Sequence, residues 1–454
     1  MLRDFHLIRN PREDLLFFPA SYRLFKLPKD EGDAVAAWQE SGCVTPPPER
    51  FGRFVEAAAE AAGTDAADPP PLGATDSLCL YVAHDCNLKC TYCYNQQGQV
   101  ANPGMMMSPD VAEAAFRRFF TEPGRRYAVA MYGGEPLLNF SGIKAMVEAG
   151  RRLEAERGIS IAFTITTNGT MFNRERIRFL AEQFASISVS VDGAQADHDR
   201  HRLGIRGSAY EKVIRQLPEV LGSCGNKVSL LGTLTGATAP RYTEVLGHLR
   251  SLGASRVALS PVDAADDNPA AMDAAAYEEF SRQHAALCVA AIENGLECSA
   301  PREAINVVTN MLTKRKLRRH CNAGCNPAVS ADGSLYACHG LVGEPGFAMG
   351  KITDADNPEY RRVRTAFDGF DVDRIGPCSR CWARYFCGGQ CYAQAHYRCG
   401  GPDVPDARYC DHLKRCVTAS LNSFVAAAAN PELRQKLYAN ARRLIGAPQE
   451  TVHG

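Results

Sequence analysis

The sequence has no charge of either sign to spare. Its 51 lysines and arginines are matched by 51 aspartates and glutamates over 454 residues. No global field therefore draws the chain to nucleic acid or to an anionic membrane. No apolar run is long enough to span a bilayer. The opening residues, MLRDFHLIRNPRED, are charged and lack the apolar core and small-residue cleavage site of a secretory signal. The expected compartment is the cytoplasm. Cysteine, at 18 residues of 454, falls below the density of a disulfide scaffold.

What is present is cysteine in clusters. Three lie within Cys86–Cys93 and ten within Cys321–Cys416. Where thiols stay reduced, such clusters read as metal ligands.

Around them the chain divides by pattern. Residues 1–72 read as a small unit with two short strands, DLLFFP and YRLFKLP, joined by a turn at Ala20-Ser21. Helices DAVAAWQES and ERFGRFVEAAAEAA follow, and proline triplets mark a linker near residues 64–75. Residues 73–305 alternate six β-rich runs (77–83, 127–132, 159–166, 185–191, 227–234 and 255–260) with helical patterns. That order predicts parallel strands with right-handed crossovers. The fold class is α/β, with six units suiting a partial barrel rather than a complete eight-fold one. Residues 306–425 are rich in Cys, Gly and Arg and poor in core formers, which predicts a domain held by bound metal. Residues 426–454 read as closing helices.

Cys86-Asn-Leu-Lys-Cys90-Thr-Tyr-Cys93 follows the first expected strand directly. Three thiolates in so short a loop can converge on one cubane cluster, which normally takes four and is left with one open iron. A zinc site lacking a local fourth ligand, or three free thiols, are the plainer alternatives. The later strands end in further motifs: Tyr132-Gly133-Gly134-Glu135-Pro136, Thr167-Asn168-Gly169, and Ser190-Val-Asp192-Gly193 with Arg202 beyond it. Glycines admit a ligand to the backbone, Glu135 can bind an ammonium, and Arg202 can pair with a carboxylate. In a parallel barrel such groups gather at the C-terminal strand ends.

CNLKCTYC, GGEP, TNG and SVDG with its downstream HD and Arg202 resemble the radical S-adenosylmethionine (SAM) core of peptide- and protein-modifying enzymes. The resemblance implies a [4Fe–4S] cluster on Cys86, Cys90 and Cys93, whose open iron chelates SAM and cleaves it to a 5′-deoxyadenosyl radical. It implies that Gly133, Gly134 and Glu135 hold the methionine amine, that Tyr92 lies near the adenine, and that Ser190 touches the ribose. Asn168, Asp192 and Arg202 complete the expected cofactor contacts.

The C-terminal cysteines run Cys321, Cys325, Cys338, then Cys378-x2-Cys381-x5-Cys387-x3-Cys391, then Cys410. This is similar to the SPASM domain, which holds two auxiliary [4Fe–4S] clusters. Two zinc knuckles are the alternative, since C-x2-C alone fits zinc equally well. The resemblance assigns Cys321, Cys338 and Cys391 to the first auxiliary cluster and Cys378, Cys381, Cys387 and Cys410 to the second. Cys325 is the expected fourth ligand of the first, or else a bystander. Cys43, Cys79, Cys224, Cys288, Cys298, Cys399 and Cys416 lie outside the pattern and read as packed or spare thiols.

The residue after Cys338 is His339. In sulfatase-maturing relatives an aspartate proposed as general base stands there. The histidine is similar to maturases of ribosomally made peptides, including those that form thioethers. His339 suits a base, or a hydrogen-bonding residue beside the cluster. The favoured activity is thioether formation on a precursor peptide with leader and core. Carbon–carbon cross-linking, epimerisation or formylglycine generation are the alternatives within the class, and a non-enzymatic electron carrier is the alternative outside it. The implied partners are the peptide and an external donor such as a flavodoxin or ferredoxin. The first 72 residues somewhat resemble a reduced leader-recognition domain, against the reading of a structural cap.

Overall fold

The computed structural model describes residues 4–43, 47, 48, 50–62, 73–94, 103–297, 299–354 and 357–446. Cys298 and most of the expected linker lie outside them. The described residues fall into two compact units. One is drawn from Met1–Pro70, His284–Cys321 and Phe370–Thr451, the other from Pro71–Gln283 and Asn322–Gly369.

The first unit opens with an antiparallel sheet of β1 (His6–Ile8), β2 (Asp14–Phe18) and β3 (Arg23–Leu27), in that spatial order. Strand β1 was not legible in the sequence. Every residue of β2 is buried, because successive side chains enter opposite apolar layers. Leu16 and Phe18 pack with Val35 and Trp38 of α1 (Lys29–Glu40) and with Phe51 at the start of α2 (Phe51–Ala62). Leu15 and Phe17 pack with Val307, Val372, Phe386 and Leu413 of the same unit.

The second unit is built on the six expected strands, each within a residue or so of its sequence boundary. β4 (Ser77–Ala83) leads into a short β5 (Leu88–Cys90). Then come α3 (Pro109–Phe119), β6 (Arg126–Gly133), α4 (Phe140–Arg157), β7 (Ser160–Thr167), α5 (Arg174–Gln183) and β8 (Phe184–Ser190). α6 (Gln195–His201), β9 (Arg202–Gly204), α7 (Ala209–Cys224), β10 (Val228–Leu234), α8 (Tyr242–Ser251) and β11 (Arg256–Pro261) follow. α9 (Ala274–Glu293) comes next and belongs to the first unit from His284 onward, as does all of α10 (Arg302–Thr313).

The strand order is β11-β10-β8-β7-β6-β4, all parallel. Among the described residues β11 pairs only with β10, so the sheet is open. At the β4 edge the sheet continues into β12 (Ala328–Val329), β13 (Ser334–Tyr336) and β14 (Ala348–Lys351), with Ala328 opposite Cys79. α11 (Pro358–Asp368) closes this part. The remaining helices belong to the first unit: short turns α12 (Gly376–Ser379) and α13 (Arg384–Cys387), then α14 (Tyr392–Cys399), α15 (Ala407–Ala428) and α16 (Pro431–Gly446). No helix of the described residues is long and apolar enough to cross a membrane.

Alternation decides the two faces of the parallel sheet. Val129, Met131, Ile161, Phe163, Ile165, Ile187 and Val189 are buried. The opposite face carries half-buried small residues, Thr164, Thr166, Ser186, Ser188 and Ser190. A face lined by small polar side chains leaves room for a ligand over the strands.

Candidate cofactor site at the strand ends

The loop after β4 is fixed before any cofactor is considered. β5 pairs antiparallel with β9, setting Cys90 opposite Arg202. The Thr91 amide donates to the His201 carbonyl at 2.9 Å, and Asn268 Nδ2 donates to the Thr91 carbonyl at 2.9 Å. Cys86, Cys90 and Cys93 pack in one cluster with Tyr92, Leu88 and Ala209. Burial pushes the Cys86 thiol up to about 12 and Cys90 up to about 11. Loading a metal there must displace these protons, so binding is pH-dependent. Three gathered thiols with, among the described residues, no fourth packed beside them fit a cubane with one open iron.

The glycines of the GGE segment sit against this loop. Gly133 has φ +140°, and a Cβ there would lie 2.3 Å from the Ala83 carbonyl oxygen. A Cβ on Gly134 would lie 2.1 Å from the Asp85 carbonyl oxygen and 3.1 Å from Cys86 Cβ. The amides of Gly134 and Glu135 donate to the Ala83 and Asp85 carbonyls at 2.9 and 2.8 Å. Only glycine allows the end of β6 to lie this close to the cysteine loop.

Glu135 is fully buried. One carboxylate oxygen accepts the Thr167 hydroxyl at 2.6 Å and the Leu137 amide at 3.0 Å, and the other accepts the Asn168 amide at 2.8 Å. Burial raises its pKa, opposed by these three donors. In the chain as it stands, Glu135 braces the ends of β6 and β7 together. Asn168 extends the brace. Its Nδ2 donates to Asn87 Oδ1 at 2.9 Å and points at Cys86 Sγ, 3.9 Å away.

On the other side of the loop stands Asp192, 2% exposed. Arg202 grips it with Nε at 2.9 Å and a terminal nitrogen at 3.1 Å. The Tyr92 hydroxyl and the Thr233 amide also donate to it. The guanidinium lies 5.6 Å from the Tyr92 ring centroid. Desolvation alone would raise Asp192; Arg202 and Tyr92 outweigh it and hold the carboxyl below its ordinary value. The carboxylate that the sequence offered to Arg202 is thus found within the chain. Ser190 is half-buried on the small-residue face of β8.

His339 follows Cys338 in the same unit. Its carbonyl accepts the Tyr81 hydroxyl at 2.7 Å, and its ring meets Tyr132 edge-on at 5.3 Å. Tyr94 donates to the Tyr132 hydroxyl at 3.0 Å. Of these tyrosines the sequence motif named Tyr132, directly before the GGE glycines, but not Tyr81 or Tyr94. Cys325 is buried, and its thiol donates to the Gly73 carbonyl at 2.9 Å.

In the first unit, Cys378, Cys381 and Cys387 pack against one apolar cluster with Val372 and Phe386. Cys378, Cys387 and Cys410 are pushed up to about 11, 12 and 11, each chiefly by burial and then by neighbouring thiols of this same set. Four thiols near enough to repel each other's ionisation fit a four-ligand cluster. Cys321 and Cys391 belong to this unit as well, while Cys325 and Cys338 belong to the other.

Comparison with known proteins agrees with this geometry. Residues 80–236 match the radical SAM superfamily. The cysteine-type anaerobic sulfatase-maturating enzyme of Clostridium novyi is 22% identical over 268 residues, 56% of this chain and 70% of that one. The serine-type enzyme of Klebsiella aerogenes is 29% identical over 181 residues, 39% of this chain and 44% of its own length. Native anSMEcpe with bound AdoMet shares the fold at TM-score 0.63 and 19% identity, over 78% of this chain and 99% of that one. Streptococcus suis SuiB bound to precursor peptide SuiA does so at TM-score 0.51 and 13% identity, over 89% and 98%. The chain carries a radical SAM domain and is an enzyme.

Proposed function

We propose that this radical SAM enzyme is a maturase that modifies a side chain of a peptide substrate, with a sulfur-to-carbon thioether as its product. The observation that carries the reading is the gathering of Cys86, Cys90 and Cys93 in one loop, with Gly134 packed against Asp85 and Cys86. An electron carrier needs neither a vacant ligand position nor a ligand face.

Cys86, Cys90 and Cys93 would hold the SAM-binding cluster, and Cys378, Cys381, Cys387 and Cys410 an auxiliary one. SAM bound at a reduced cluster supplies hydrogen abstraction from an unactivated carbon. The protein's own residues position and protect. Asn168 polarises Cys86 Sγ. Asp192 fixes Tyr92 and Arg202 at the loop edge. His339, held by Tyr81 and Tyr132, is the base for a substrate thiol. Forming one thioether removes a hydrogen atom from carbon, a proton from sulfur and one further electron, so a nearby electron acceptor is required. An external donor such as a flavodoxin or ferredoxin would prime each cycle.

Formylglycine formation on a sulfatase is the second reading, favoured by the sulfatase-maturating relatives. His339 in place of an aspartate weighs against it. Mass spectrometry separates the two after turnover with cysteine-containing precursor peptides and with sulfatase-motif peptides. Loss of two hydrogens together with loss of an alkylatable thiol supports the thioether. An aldehyde-reactive residue on the sulfatase peptide alone overturns it.

A further inference from the structure

Outside the sites described so far, five potential ligands meet inside the first unit. His284 and Cys288 lie four residues apart on α9, and His412 and Cys416 repeat that spacing on α15. A separation of four puts both members of each pair on one helix face. Glu303 enters from the first turn of α10. Donor atoms of His284, Cys288 and Cys416 all lie within 4.8 Å of one another, as do those of His284, Glu303 and His412.

Both thiols are completely buried, and the His284 and His412 rings are 5.2 Å apart. Cys416 Sγ lies 3.9 Å from His412 Nε2 and 4.0 Å from Nδ1. His284 Nε2 lies 2.9 Å from Glu303 Oε2. Around the group packs an apolar shell of Ala285, Ile292, Ala304, Val308 and Leu437.

We propose that His284, Cys288, His412 and Cys416 bind one zinc ion in a closed tetrahedral site, with the Glu303 carboxylate orienting His284. Zinc bonds of about 2.0–2.3 Å place tetrahedral ligand atoms about 3.3–3.8 Å apart; Cys416 Sγ and His412 Nε2 stand 3.9 Å apart, and the His284, Cys288 and Cys416 donors lie within 4.8 Å, so a small inward shift closes the site. The two-sulfur, two-nitrogen set is the borderline-soft set that zinc takes in structural sites. A histidine ligand usually gives its other nitrogen's proton to a carboxylate, which is the relation of His284 to Glu303. Donors this close suit a single ion better than an iron–sulfur cluster. The ion would staple α9 to α15 inside the core. Two isolated packed thiols would explain the burial of Cys288 and Cys416, but not why two imidazoles and a carboxylate converge on them.

The test is zinc-edge X-ray absorption and metal analysis on the full chain, purified anaerobically with its clusters loaded. The expected result is one zinc per chain with two sulfur and two nitrogen neighbours. The double variant Cys288→Ala/Cys416→Ala should lose zinc while keeping its iron and SAM cleavage. Should that variant fail to fold, the absorption spectrum of the unaltered chain decides the matter. Absence of zinc from a zinc-supplied preparation overturns the proposal. So does a four-sulfur zinc signal, which marks zinc in a cluster position, a Cys288–Cys416 disulfide, or zinc retained by the double variant.

Discussion

Glu135 accepts the Thr167 hydroxyl at 2.6 Å in a place with no solvent exposure. The bond joins the GGE segment at the end of β6 to the TNG segment at the end of β7. The two motifs are thus parts of one brace. Replacing Glu135 with Gln turns an NH2 group toward a donor. It should cost about 1–3 kcal/mol, the penalty for an unsatisfied buried polar group. Thr167→Val should cost less, because one hydrogen bond goes while the Asn168 and Leu137 amides remain. Urea unfolding of the two variants checks the order; equal stability of Glu135→Gln and the parent chain would contradict the brace.

The Asp192–Arg202 pair supports a sharper contrast. Arg202→Lys keeps the charge but loses the two-pronged grip, so it should not behave as a conservative change. Asp192→Asn leaves a buried guanidinium without its counter-charge and should destabilise by about 3–5 kcal/mol. Asp192→Asn weakens the acceptor of the Tyr92 hydroxyl, and Arg202→Lys removes the guanidinium from beside the Tyr92 ring, so both should weaken SAM binding measured by equilibrium dialysis. Undiminished SAM affinity in Arg202→Lys would remove Arg202 from the site.

Gly134→Ala places a methyl group 2.1 Å from the Asp85 carbonyl oxygen. That oxygen is backbone and cannot rotate away, so the cysteine loop itself must shift. The variant should bind less iron at the triplet and cleave SAM more slowly, while Gly247→Ala on α8, with open space around it, should leave both unchanged. Iron analysis and 5′-deoxyadenosine assays read the difference.

Much of this was legible beforehand, and the reason is locality. The six parallel strands follow from short β-rich runs between helical periodicities, both set by neighbouring residues. β5 and β9 are three residues each and pair across more than a hundred positions, so no local pattern announces them. The same holds for β12, which reaches back to β4. Glu135 was read as an ammonium ligand because its type permits that; the Thr167, Leu137 and Asn168 donors on its oxygens show only in the fold. Cys288 and Cys416 were set aside as spare thiols because each lies outside the cysteine pattern; a histidine stands four residues before each, but only the meeting of α9 and α15 brings the two pairs together.

His198 gives a pH signature. Burial lowers its pKa from 6.5 to about 4. Its Nδ1 accepts the Asp192 amide at 3.3 Å, which requires the neutral ring. The unfolded chain takes up the proton first as pH falls. The stabilisation is therefore complete above about 6.5 and is lost as pH falls toward about 4, by on the order of 3 kcal/mol. His198→Asn retains an acceptor for the amide and does not titrate. Urea midpoints at pH 7 and pH 4.5 should converge in that variant; an unchanged pH slope would contradict the assignment.

The most direct measurement compares the reconstituted parent chain with the Cys86→Ala/Cys90→Ala/Cys93→Ala variant, counting iron and assaying reductive SAM cleavage. The variant should lose about four irons per chain, keep its auxiliary iron, and make no 5′-deoxyadenosine. Cleavage that persists in the variant would contradict the assignment of the triplet as the SAM-binding cluster site.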